Sequence, residues 1–90
     1  MNRYIATFYS HFGAVRFSKE LKDLCMNVKL GPVPRFLSSS CGTCAEFEYD
    51  RDLCEKDAFD EFSGRLSHPG ELEGLVILTG DSYRVIFDGR

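Results

Sequence analysis

The sequence contains little that would suit a membrane protein or a nucleic-acid binder. No apolar run approaches the roughly 20 residues of a membrane-spanning helix, and the N-terminus lacks the apolar segment of about 7 to 15 residues found in signal peptides. Positive charge is also sparse, since 11 Lys and Arg face 14 Asp and Glu. Proteins that bind a phosphate backbone usually have a basic face. We therefore expect a cytoplasmic protein with neither a membrane nor a nucleic acid as partner.

Patterns that bind cofactors are missing as well. Neither GxGxxG nor GxxxxGK occurs, so the sequence has no predicted phosphate-binding loop. The single CxxC, Cys41 to Cys44, would need Cys54 and then His11 or His68 to complete a zinc site. Structural zinc usually uses two ligand pairs at close spacing. We therefore expect no cofactor and no bound metal.

The chain length and apolar content are those of one small globular domain. Its 90 residues are 43% hydrophobic and include eight Phe and four Tyr. A chain of this length buries only about two thirds of its unfolded surface and cannot support two cores. We therefore expect a single domain over residues 1–90, with enough large apolar side chains to fold without a metal or disulfide framework.

Five segments have the composition and periodicity of β-strands. Residues 3–8 form an apolar β-branched and aromatic run, residues 28–33 end at a proline, and residues 43–49 alternate between apolar and polar side chains. The last two runs, 75–79 and 83–87, flank a Gly-Asp-Ser segment and are typical of a hairpin.

Two helices are predicted between these strands. Apolar spacings of three and four indicate a first helix capped by Ser10 and running to about Met26, and a second capped by Asp50 or Asp52 and ending early near Gly64. The resulting order, βαββαββ, predicts an α+β two-layer sandwich with both helices on one face of a mainly antiparallel sheet. A ferredoxin-like βαββαβ core with an extra C-terminal strand would satisfy it.

The four cysteines are expected to be free thiols, because nothing in the sequence indicates secretion to an oxidising compartment. Cys25 falls on the apolar stripe of the first helix, where a small buried hydrophobe without chemistry is expected. Cys54 lies near the start of the second helix and has the pattern of a packing residue. The chemistry is therefore expected at Cys41 and Cys44.

The segment of residues 34–44, PRFLSSSCGTC, is unusual for a connection between two strands. A thiol becomes nucleophilic by losing its proton, which nearby cations and hydrogen-bond donors favour. Arg35 could offset the thiolate charge, and Gly42 could let the backbone approach closely. Three serines could donate hydroxyl or amide hydrogens: Ser38, Ser39 and Ser40. We predict a reactive thiol at Cys41; the alternative is a solvated turn followed by a buried cysteine.

Residues 3–50 resemble the putative Se/S carrier protein-like family, formerly a domain of unknown function. The resemblance lies in the opening YIATFYS with Ala14 in the following helix, in VKLGPVPR, and in SSSCG at residues 38–42. It implies a carrier that accepts sulfur or selenium as a persulfide or selenopersulfide on Cys41. It also implies a cysteine desulfurase or another sulfur-transfer protein as the partner.

Cys44 and the C-terminal hairpin depart from the simplest form of that pattern. Cys44 could resolve a persulfide on Cys41 as an intramolecular disulfide, activate Cys41, or sit in the strand without a role. If residues from Thr43 onward are extended, Cys41 and Cys44 point to opposite faces, and a dithiol needs a turn there. His11 is either a base for Cys41 or a helix-entry residue that faces water.

Two other functions stay open at this point. One is a thiol redox protein that uses Cys41 and Cys44, and the other is a non-catalytic interaction domain whose loop binds a partner. The resemblance favours a carrier over a turnover enzyme. An exposed edge strand would allow two subunits to pair, so a homodimer is also left open.

Overall fold

A computed structural model describes residues 1–89, which form a five-stranded antiparallel sheet and two α-helices. The elements are β1 (Asn2–Phe8), α1 (His11–Asp23), β2 (Val28–Pro32), β3 (Thr43–Tyr49), α2 (Lys56–Gly64), β4 (Leu72–Thr79) and β5 (Ser82–Asp88). The strand order is β2-β3-β1-β4-β5, so β2 and β5 form the edges. The predicted α+β class with a mainly antiparallel sheet is confirmed, whereas the ferredoxin-like core stays a prediction.

The main core lies between one face of the sheet and both helices. Phe17 of α1 contacts Phe8 and Phe47, with ring centroids 5.0 and 5.5 Å apart. Phe62 of α2 stacks on Phe47 at 5.6 Å. Burying such aromatic side chains stabilises the two-layer arrangement, because each removes a large apolar area from water. Neither helix within residues 1–89 is long and apolar enough to cross a membrane.

The opposite face of the sheet has no helix on it and carries a smaller apolar cluster. Its buried members are Ile5, Cys44 and Val76. Val33 and Leu37 pack against this cluster from the loop of residues 33–42 that joins β2 to β3. The loop that contains the cysteine motif is therefore also the cover of the helix-free face.

Helix α1 ends at Asp23, before the predicted end near Met26, in a Schellman motif. The Met26 N–H donates to the Leu21 carbonyl at 3.0 Å, and the Cys25 N–H donates to the Lys22 carbonyl at 3.0 Å. Cys25 adopts a φ of 62°, which breaks the helical repeat, and its side chain is exposed. The prediction that Cys25 is buried on the apolar stripe is therefore wrong.

Replacing Cys25 with glycine should stabilise the fold. The left-handed conformation costs a residue with a Cβ roughly 1 kcal/mol, whereas glycine adopts it freely. Allowing for the larger entropy of glycine in the unfolded chain, we expect the free energy of unfolding to rise by about 0.5 kcal/mol. Urea denaturation under reducing conditions measures it. Cys25→Ala is the control, since it removes the thiol and keeps the Cβ; equal stability of both variants would contradict the argument.

Helix α2 begins at Lys56, after the predicted cap at Asp50 or Asp52. Asp52 instead organises a turn before the helix, because its carboxylate accepts from the Cys54 N–H at 2.9 Å and its carbonyl accepts from the Glu55 N–H at 3.1 Å. Cys54 packs against the main core. Burial, followed by the nearby Asp52, raises the pKa of the Cys54 thiol.

Candidate functional site

The cysteine motif lies at one end of the sheet, where the loop of residues 33–42 returns to start β3. Gly42 has a φ of 75°, a conformation that suits glycine, and its carbonyl accepts from the Val33 N–H at 3.2 Å. This bond closes the base of the loop. Cys41, directly before Gly42, is partly exposed and packs against the helix-side core. Cys41 is therefore more accessible to solvent than the buried Cys44.

Ser39 connects Cys41 to the end of β1. Its hydroxyl donates to the Phe8 carbonyl at 3.2 Å, and its oxygen accepts from the Cys41 N–H at 3.4 Å. The same oxygen lies 3.9 Å from the Cys41 sulfur, and the thiol donates to the Thr43 carbonyl at 3.4 Å. Ser39 therefore fixes the cysteine backbone and lies near the sulfur, while its role as a donor to the thiolate stays a prediction.

Ser40 is held by a residue that the sequence analysis did not select. The Ser40 N–H donates to Oε1 of Glu73 at 2.9 Å, and the Ser40 hydroxyl donates to Oε2 at 2.5 Å. Glu73 is only 1% exposed. Its carboxylate thus lies beneath the loop and binds the residue next to Cys41.

A β-bulge places Glu73 in that position. β1 pairs with β4 through Thr7 opposite Gly74 and Phe8 opposite Leu72, so Glu73 is an extra residue on β4. The sequence prediction started β4 at residue 75 and left Glu73 in a loop. Gly74 was the available signal, because a glycine beside strand residues is typical of a bulge.

Arg35 and Ser38 are exposed residues of the loop, and Ser38 also borders a cavity between the loop and the sheet. A turn forms there, in which the Leu37 N–H donates to the Pro34 carbonyl at 3.0 Å. Within residues 1–89 the Arg35 guanidinium makes no hydrogen bond or ion pair. The role of Arg35 as a cation for the thiolate therefore stays a prediction.

The outer part of the loop reaches the far edge of the sheet. The rings of Phe36 and Tyr83 on β5 lie 4.8 Å apart, and the Tyr83 hydroxyl donates to the Phe36 carbonyl at 3.3 Å. A cavity of about 220 Å³ lies between the loop and strands β4 and β5. The loop therefore spans the helix-free face from β2 to β5 and is fixed at several points along its length.

Cys44 lies on the other side of the sheet from the Cys41 contacts. Cys44 is 5% exposed, packs with Ile5 and Val76, and donates from sulfur to the Pro32 carbonyl at 3.5 Å. Burial, followed by the charges of Glu46 and Cys41, raises the pKa of the Cys44 thiol. β3 is extended from Thr43 onward, so the two thiols of the CxxC pack on opposite faces.

Cys44 should make the protein less stable at alkaline pH. Its ordinary pKa is 9.0 and the folded value is higher, so above pH 9.0 the unfolded chain loses a proton that the folded chain keeps. The free energy of unfolding therefore falls as pH rises through 9.0 and levels off above the raised pKa. Urea denaturation at a series of pH values measures the slope. Cys44→Ala should show a shallower fall, and an identical slope would contradict this account.

His11 begins α1 beside the motif. Its Nδ1 lies 3.4 Å from the Thr43 hydroxyl, and the side chain is exposed. Ser10 caps the helix by accepting from the Gly13 N–H at 3.2 Å. The structure thus brings His11 to Thr43, next to the thiol, while a role as base for Cys41 stays a prediction. Within the described part of the chain, no three His, Cys, Asp or Glu side chains form a group that could hold a metal ion.

The fold and the site define a small α+β protein that presents one partly exposed thiol from an anchored loop. The family model described as putative Se/S carrier protein-like matches residues 3–60, more than half of the chain. The chain therefore belongs to this family, and the resemblance found in the sequence is confirmed. The match extends past Tyr49, where the resemblance was expected to fade. Comparisons with curated proteins and with solved structures found no match.

Proposed function

We propose that this protein carries sulfur or selenium as a persulfide or selenopersulfide on Cys41. The observation that supports it best is the setting of Cys41: a partly exposed thiol in a loop anchored on both sides, within the segment that matches a Se/S carrier family. Cys44 is buried and Cys25 lies at the end of α1. Cys54 is partly exposed too, but burial raises the pKa of its thiol. Cys41 is therefore the partly exposed cysteine that lies within the anchored SSSCG loop.

The transfer needs no oxidant or reductant. The Cys41 thiolate attacks the outer sulfur of a persulfide on a donor protein, so that a new S–S bond forms on Cys41 while the donor S–S bond breaks. The donor cysteine leaves as a thiolate. The outer sulfur on Cys41 can then pass to a nucleophile on an acceptor by the same exchange. A selenium atom in the outer position would follow the same sequence.

A cysteine desulfurase or another sulfur-transfer protein is the partner that this chemistry requires, in a compartment where thiols stay reduced. Cys44 is not part of the proposed transfer. Its sulfur packs with Ile5 on the helix-free face, and the exchange on Cys41 is complete without a second thiol.

The direct test is to incubate the reduced protein with a cysteine desulfurase and cysteine, then locate the added sulfur by peptide mass spectrometry. We expect one extra sulfur atom on the peptide that contains Cys41, and we expect a reducing agent to remove it. Omitting cysteine is the control. Sulfur found only at Cys25 or Cys54, or no added sulfur at all, would refute the proposal.

A further inference from the structure

We propose that Glu73 is a positioning residue for Cys41, which it presents to the sulfur donor by holding Ser40. This inference rests on the proposed function, and the contacts of Glu73 support it. Glu73 lies outside residues 3–60, so the family match does not include it. Its role follows from geometry alone.

Glu73 binds both hydrogen-bond donors of Ser40. One carboxylate oxygen accepts from the Ser40 N–H at 2.9 Å, and the other accepts from its hydroxyl at 2.5 Å. Two bonds from a carboxylate to one residue fix the orientation of that residue as well as its distance, and bonds to a charged acceptor are stronger than neutral ones. Because Ser40 immediately precedes Cys41, the orientation of Ser40 constrains the backbone from which the Cys41 side chain projects.

A second anchor lies at the same end of the sheet. Ser39 donates to the Phe8 carbonyl at 3.2 Å, and Phe8 pairs with Leu72, next to Glu73 in the bulge. The motif is thus hydrogen-bonded to β1 through Ser39 and to β4 through Ser40. Both anchors depend on the same irregularity in the β1 and β4 pairing. The residues at the bulge therefore supply the hydrogen-bond acceptors that hold the cysteine loop.

The burial of Glu73 supports a specific role for its side chain. A carboxylate that is 1% exposed has lost its hydration, which is costly unless hydrogen bonds replace the water. Its backbone is fixed too, since the Glu73 carbonyl accepts from the Gly89 N–H at 2.8 Å. The carboxylate therefore has little freedom to move away from Ser40, and the position of the loop follows the position of Glu73.

Positioning affects transfer more than it affects the intrinsic reactivity of the thiol. Group transfer between two proteins requires the nucleophile to be placed within a narrow range of geometries, and a shift of about 1 Å can cost on the order of 100-fold in rate. Releasing the loop has the opposite effect on a small reagent, because a half-buried sulfur becomes easier to reach. Loss of Glu73 should therefore slow sulfur loading and accelerate alkylation of Cys41.

Four variants separate positioning from other roles. Glu73→Leu keeps the size of the side chain and removes both acceptors. Glu73→Gln keeps one acceptor for the Ser40 N–H and can donate its amide to the Ser40 hydroxyl, so it removes the charge and keeps both contacts. Ser40→Ala, at an exposed position, removes the hydrogen bond from the Ser40 hydroxyl to Glu73 and keeps the one from the Ser40 N–H. Ser63→Ala, on α2, is the matched serine control, since its hydroxyl donates to the Asp60 carbonyl at 3.3 Å.

Two rates are measured for each variant. The first is sulfur loading of Cys41 by a cysteine desulfurase and cysteine at increasing desulfurase concentration. The second is alkylation of Cys41 by iodoacetamide relative to exposed Cys25 in the same sample. We expect Glu73→Leu to lower the maximal loading rate by between about tenfold and 100-fold and to raise the alkylation ratio. Glu73→Gln should recover most of the loading rate, and Ser63→Ala should match the wild type.

Buried Cys44 reports whether the fold is intact, because it should resist alkylation in every folded variant. A folded Glu73→Leu that loads sulfur at the wild-type rate overturns the proposal, and so does a Glu73→Gln that loses as much as Glu73→Leu. If Glu73→Leu does not fold, Ser40→Ala decides: a slower loading rate supports positioning and an unchanged rate overturns it. Failure of the wild type to load sulfur refutes the carrier function, whereas the alkylation ratio tests the positioning of Cys41 independently.

Discussion

A chain in which Cys41 is the only cysteine should load sulfur at nearly the wild-type rate, and Cys41→Ser should load none. The reason is that the proposed exchange needs one accessible thiolate and no second thiol. Cys44 packs on the helix-free face with a raised pKa, so it contributes neither access nor a ready thiolate. Replacement of Cys25, Cys44 and Cys54 together by alanine should therefore preserve loading.

Peptide mass spectrometry after incubation with a cysteine desulfurase and cysteine measures the result. The same samples also test a dithiol mechanism, because a Cys41 to Cys44 disulfide would release the sulfur that had been loaded. The control is Cys44→Ala alone, which leaves every contact of the Cys41 side chain in place. Persulfide that accumulates only when Cys44 is absent, or that never forms in the single-cysteine chain, would contradict the expected result.

Gly13→Ala should destabilise the protein by about 1 to 3 kcal/mol, although alanine normally favours a helix. A Cβ at this position in α1 would lie 2.6 Å from Cβ and 2.8 Å from Oε1 of Glu71. Glu71 cannot retreat easily, since its carbonyl accepts from the Tyr9 N–H at 3.0 Å and its carboxylate accepts from the Ser10 hydroxyl. Thermal unfolding should show a fall in Tm of roughly 4 to 8 °C for each kcal/mol.

Gly64→Ala is the matched control for this change. Gly64 is the last residue of α2, and a Cβ there would have nothing within 4 Å. Alanine should raise the free energy of unfolding by about 0.4 to 1 kcal/mol, because it restricts the unfolded chain without a clash. Opposite signs for the two glycines are therefore expected, and a stabilised Gly13→Ala would show that α1 can move away from Glu71.

Local sequence patterns predicted the parts of the fold that depend on local periodicity. The β3 bounds of residues 43–49 agree with the structure, and Ser10 caps α1 as expected. The opposite orientation of Cys41 and Cys44 was expected if residues from Thr43 onward were extended, and they are. Distant parts of the chain are not needed to predict these features, because neighbouring residues largely determine a strand or a helix cap.

The patterns missed features that depend on distant residues and features where one residue can adopt two local conformations. Glu73 is selected by its contact with Ser40, which lies 33 residues earlier in the chain. The start of α2 was misplaced because Asp52 has two uses, as a helix cap or in a local turn, and the structure adopts the turn. Cys25 has the spacing of a core residue, yet it adopts a left-handed conformation just after α1 and is exposed.

The cysteine loop is held by hydrogen bonds to residues far along the chain, so these bonds cannot form early in synthesis. A ribosome that has just added Cys41 has not yet added Glu73, nor Tyr83, which contacts Phe36 from 47 residues further along the chain. Translation proceeds from the N-terminus, so the thiol emerges on an unfastened loop. The loop that carries Cys41 gains its contacts with Glu73 only after β4 has been synthesised and has paired with β1. If Glu73 positions Cys41 as proposed, acceptance of sulfur requires synthesis at least as far as β4, which carries Glu73.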